Sequence, residues 1–73
     1  MPKYDGVKII ITKNMADENF IVKWSKEDQL YSLWHQERTH LEWGCYGRDL
    51  KSLLDNLELD KQEGYCNDYR VVD

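Results

Sequence analysis

Six aromatic residues, Phe20, Trp24, Tyr31, Trp34, Trp43 and Tyr46, fall within residues 20–46, and they include every tryptophan of the chain. Apolar and polar residues alternate through this stretch, which is the period of a β-sheet with two differently used faces. A chain of 73 residues has room for one domain, 1–73, with one modest core. Three tryptophans exceed what such a core needs. Large aromatics also serve protein surfaces as binding anchors.

The rest of the chain builds on that sheet. Val7-Lys8-Ile9-Ile10-Ile11-Thr12 is β-branched except at Lys8 and reads as the first strand. Residues 13–19 are polar and read as a loop. Strands follow at 20–24, 30–36 and 39–46, with turns at 25–29 and at Glu37-Arg38. Leu50, Leu53, Leu54 and Leu57 recur at i, i+3, i+4 and i+7, one apolar stripe on a helix over 48–59. Asp49 sits near the positive end of that helix dipole. The expected fold class is α+β: an antiparallel four-stranded meander with one C-terminal helix packed on one face, and a short fifth strand at 69–72 as an addition.

Tight turns would set Trp24 beside Tyr31 and Val22 beside Leu33. They would also set Gln36 opposite Thr39, His35 opposite His40 and Trp34 opposite Leu41. One face then carries Phe20, Val22, Trp24, Tyr31, Leu33 and Tyr46. The other carries Ile21, Trp34, Leu41, Trp43 and Cys45. The leucine stripe can cover one face, taken as that of Phe20, Val22 and Leu33, and the other must meet something else. A slip of one residue would exchange the faces of a strand.

Residues 1–54 hold eight basic and eight acidic side chains. The net charge of −4 comes from residues 55–73, where Asp55, Glu58, Asp60, Glu63, Asp68 and Asp73 face only Lys61 and Arg70. An acidic surface disfavours phosphate binding. It reads as a solvated face, or as a negative surface for a basic partner. No apolar run approaches the roughly 20 residues of a membrane span, and no signal peptide is visible. The two cysteines, Cys45 and Cys66, read as reduced thiols of a cytoplasmic protein, Cys45 buried and Cys66 in a polar loop; a single bridge is the alternative.

Candidate chemistry is sparse. His35, His40, Cys45 and Cys66 include zinc-ligand types, but only His35 and His40 have suitable spacing, and no metal is expected. Cys45 with His40 could be written as a nucleophile and base, yet no flanking motif supports it. No carboxylate pair lies in an apolar setting, and the glycines form no phosphate loop. The expectation is a chain that is not an enzyme and takes no cofactor.

Trp43-Gly44-Cys45-Tyr46-Gly47 followed by residues 48–57 resembles the strand–glycine–helix segment of HicB-type antitoxins, over about a quarter of the chain. That junction is general to αβ proteins. The DNA-binding appendage of the family has no counterpart, so no function is carried over.

The functional expectation is a small acidic regulator or inhibitor of the kind found in phages and other mobile elements. Its partner is another protein, or a second copy in a homodimer, and not a membrane. Trp34, Leu41, Trp43 and Tyr46 would be the anchors, with Asp55, Glu58, Asp60 and Glu63 as an electrostatic rim. The alternative is single-stranded nucleic acid, with bases stacked on Trp24, Tyr31 and Trp34 beside Lys23, Lys26 and Arg38.

Overall fold

The computed structural model describes residues 2–72. Its elements are β1 (Lys8–Lys13), β2 (Ala16–Ser25), β3 (Leu30–His35), β4 (Glu42–Gly47), α1 (Leu50–Gln62) and β5 (Asp68–Val72). The strands form one antiparallel sheet in the order β4-β3-β2-β1-β5, and α1 packs on one face. The expected α+β class, the four-stranded meander, the helix and the fifth strand are all present. β5 lies beyond β1, with Ile9 opposite Val71 and Ile11 opposite Tyr69.

The expected loop at 13–19 is instead a tight hairpin. Lys13 pairs with Ala16, and Asn14 and Met15 turn the chain with φ of +53° and +65°. Two positive φ values define the type I′ turn, whose twist matches that of the strands it joins. Asn tolerates this conformation, whereas Met15 is a costly choice there. Polar residues hid the start of β2 because Asp17 and Asn19 lie on a solvent-facing strand, not in a loop. Thr12 donates to Asp17 across the pair, and the Asn14 amide donates to Asn67 Oδ1 at 2.8 Å.

β2 and β3 pair as anticipated, with Val22 opposite Leu33 and Trp24 opposite Tyr31. The core forms on this side. Ile9, Phe20, Leu33, Leu53 and Leu57 have no exposed surface, and Ile11, Val22, Tyr31, Cys45 and Cys66 join them. Cys66 lies in the expected polar loop, between α1 and β5, with its side chain buried. Both cysteines are free thiols.

The helix starts at Leu50, with Asp49 as its N-cap accepting from the Ser52 amide at 2.8 Å. That bond holds the Asp49 carboxyl below its usual pKa. The helix runs to Gln62, past the expected end at Leu59. The Glu63 amide donates to the Leu59 carbonyl and the Tyr65 amide to that of Asp60, while Gly64 at φ +87° turns the chain away. Gly47 sets how close the helix comes: a Cβ there would lie 2.5 Å from the Leu53 nitrogen.

The connection from β3 to β4 departs most from expectation. The two-residue turn at Glu37-Arg38 is in fact residues 36–41. The Leu41 amide donates to the Arg38 carbonyl, and the His35 amide donates to the Leu41 carbonyl, each at 2.8 Å. The His35 ring anchors this loop, its Nδ1 accepting from the amides of Glu37 at 3.2 Å and Arg38 at 3.0 Å. His35 is buried against Phe20, and His40 is exposed in the loop, so the expected cross-strand histidine pair does not form. Trp34 consequently faces Glu42 instead of Leu41. Further along, Ser32 faces Tyr46, so β4 spends extra residues between these pairs, and Gly44 at φ +80° takes up the irregularity.

Candidate binding face

This shift of one residue exchanges the faces of β4. Trp43 and Cys45 turn toward the helix, while Glu42 and Tyr46 lie on the open side with Trp34. The face assignment for β4 is thus corrected, and that for β2 and β3 stands.

Across the open face, Glu42, Trp34, Ile21, Lys8 and Val72 follow one another on successive strands. Ile10 and Ile21 are half-buried. Trp34 is also half-buried and is held by two polar contacts. Its Nε1 donates to Ser32 Oγ at 2.7 Å, and Lys23 Nζ lies 5.4 Å from the ring centroid. Tyr46 is exposed. Trp34, Tyr46, Glu42, Ser32, Lys23 and Asp28 are among the residues that bound a cleft of about 410 Å³. The neighbouring Glu42 carboxylate, ahead of burial, raises the Tyr46 pKa. Glu42 Oε1 is shut away from solvent and meets no donor among the described residues.

Trp43 is not an anchor on this face. Its ring stands edge-on to Phe20 at 5.4 Å, and its Nε1 donates to Asp60 Oδ2 at 2.9 Å. Lys13 Nζ lies 5.9 Å from the same ring. A second cleft, of about 330 Å³, opens there between Lys13, Trp43, Gly44, Asp60 and Tyr65. Leu41 is exposed at the end of the β3–β4 loop.

The acidic residues belong to the helix layer, across the sheet from Trp34. Asp55 pairs with Lys51 at 3.3 Å, and Glu58 accepts from the Tyr69 hydroxyl at 3.4 Å. Asp60 is held by Trp43, and Glu63 is the helix C-cap. The acidic rim therefore meets Trp43, through Asp60, and does not share a surface with Trp34.

The nucleic-acid set is also divided. Tyr31 is only 4% exposed, and its hydroxyl accepts from the Tyr4 amide at 3.2 Å. Trp24 is half-buried against Tyr31, centroids 4.7 Å apart, on the helix side. Tyr31 is buried, and Trp24 keeps part of its surface exposed on the face opposite Trp34. Lys23 is on the open face, whereas Lys26 and Arg38 are exposed in separate connections.

The thiols are unreactive by setting. Burial, with the Asp60 charge as a lesser cause, pushes Cys45 up to about 12, and Cys66 is raised for the same reasons. The Cys45 Sγ–H donates to the Leu53 carbonyl at 3.2 Å. Among the described residues, no three His, Cys, Asp or Glu side chains are grouped to hold a metal ion, and no helix is long and apolar enough to cross a membrane.

Sequence reasoning missed Glu42, Ser32 and Asp28 as members of the cleft. Gly44 was the one available signal, since a glycine inside a strand pattern marks a bulge that changes which residues share a face. Compared with known proteins, the chain matches no family model, no curated protein and no solved structure.

Proposed function

We propose that this chain is a protein-binding module, a small regulator or inhibitor, that docks another protein on the open face of its sheet. The observation that carries the reading is the row of Trp34, Ile21 and their neighbours, which the helix leaves uncovered. Trp34 is an anchor residue type already fixed in one orientation by Ser32 and Lys23, so little side-chain entropy is lost on docking. Trp43 and the helix carboxylates support the fold, and contact falls to Trp34, Ile21 and Tyr46, with Leu41 at the edge. The two unbridged thiols suit a cytoplasmic setting.

Lys23 above Trp34 is the observation that favours single-stranded nucleic acid. The buried Tyr31 ring and the Glu42 carboxylate in the same cleft weigh against it, and protein docking is the stronger reading.

The test is capture from an extract of the source organism on the immobilised chain and on its Ile21→Glu variant, with both melting curves recorded. We expect at least one protein held by the native chain and lost by the variant, at similar melting temperatures. The same proteins held by both would overturn the open face as the docking surface.

A further inference from the structure

We infer that the cleft between Trp34, Tyr46 and Glu42 receives an arginine side chain of the docked protein. The inference rests on the protein-docking reading above and names the chemistry its contact point selects.

Glu42 sets that chemistry. Its Oε1 has lost solvent and meets no donor among the described residues. A carboxylate oxygen left this way is costly, and a donor arriving with a docked partner removes that cost. No ion pair among the described residues uses Glu42 or Lys23. The Tyr46 phenol, kept neutral beside that carboxylate, borders the same cleft. Asp28 adds a second carboxylate to the lining.

The aromatic lining narrows the choice of cation. Trp34 and Tyr46 both border the cleft, and the Trp34 ring already attracts the Lys23 ammonium at 5.4 Å. Ring faces attract cations, and a guanidinium stacks on them while presenting N–H groups at its edge. One group can therefore lie against an indole and donate to Glu42 together. An ammonium is a compact, strongly hydrated point charge, and the exposed Lys23 already supplies one. The incoming guanidinium would displace Lys23, whose flexible stem lets it swing aside. A phosphate or carboxylate ligand meets the opposite circumstance, since it would face Glu42 and Asp28.

The experiment titrates the ¹⁵N-labelled chain with the blocked peptide acetyl-Gly-Arg-Gly-amide and with its citrulline and lysine counterparts. Citrulline keeps the shape of arginine and removes the charge. The arginine peptide should shift the Trp34 indole and the amides of Ser32, Glu42 and Tyr46, and bind about tenfold more tightly than the citrulline peptide. Lysine should fall between them. Glu42→Gln should reduce arginine binding to the citrulline level. If that variant disturbs β4, the arginine–citrulline comparison on the native chain decides the same question. Equal binding of arginine and citrulline, or shifts confined to Asp55, Glu58 and Glu63 on the helix, would overturn the inference. Failure here is separable from failure of the docking reading. A partner lost by Ile21→Glu but kept by Glu42→Gln leaves the open face as the docking surface and removes arginine as the group it selects.

Discussion

The two faces of the sheet carry similar residue types and treat them differently. On the covered face, Phe20, Leu33, Leu53 and Leu57 retain no exposed surface and need no polar contact to hold them. On the open face, Ile21 and Trp34 stay half-buried, and Trp34 is positioned by a hydroxyl and an ammonium. The contrast separates two uses of apolar surface. Close packing fixes a side chain by excluding everything else, whereas polar tethering fixes a ring and leaves its face available. An apolar residue on a strand is therefore not evidence of core until its face is known.

Truncation should expose this asymmetry most strongly at Phe20. Phe20→Ala removes a ring packed against Trp43 and His35, and denaturant unfolding should show a loss of about 3–5 kcal/mol. A loss similar to that of a surface substitution would mean the covered face is not the core. Next in size is Gly47→Ala, which drives a Cβ into the first turn of the helix and should cost about 1–3 kcal/mol by the same measurement. An unchanged melting curve would show that the helix sits further from the sheet.

Trp34→Ala should fall well below both, at about 1 kcal/mol, because the ring only rests on the open face. A loss as large as that of Phe20→Ala would break the comparison and make both faces core.

The smallest effect concerns pH at the helix cap. The folded Asp49 carboxyl lies below its ordinary value of 3.8, chiefly through the Ser52 amide bond. Its contribution is fully present above that value and is lost as pH falls through the depressed folded value. Asp49→Asn retains a capping oxygen but cannot titrate. Melting temperatures of the variant should therefore fall less steeply than those of the native chain as pH drops below 3.8. Parallel acid curves would show that the cap carries no charge-dependent stability.

Local pattern was sufficient for the central hairpin and the helix. The alternation in β2 and β3, with Ser25-Lys26-Glu27-Asp28-Gln29 between them, placed Val22 with Leu33 and Trp24 with Tyr31. The leucine stripe located the helix because four residues on one stripe have few other uses. The hairpin at Asn14-Met15 was illegible because Met15 is an uncommon residue at positive φ. The candidate site was legible in part: Trp34 and Tyr46 reached the open face, while Trp43 did not.

What the sequence alone determined is the set of elements, their order, and the surplus of apolar residues over what one helix can cover. Only the tertiary structure decided which of those residues form the site. His35 turned into the core, its Nδ1 collected two loop amides, and the connection lengthened to residues 36–41. That moved β4 by one residue, and side chains alternate with a period of two. Trp43 and Cys45 therefore went under the helix, and Glu42 and Tyr46 came out beside Trp34.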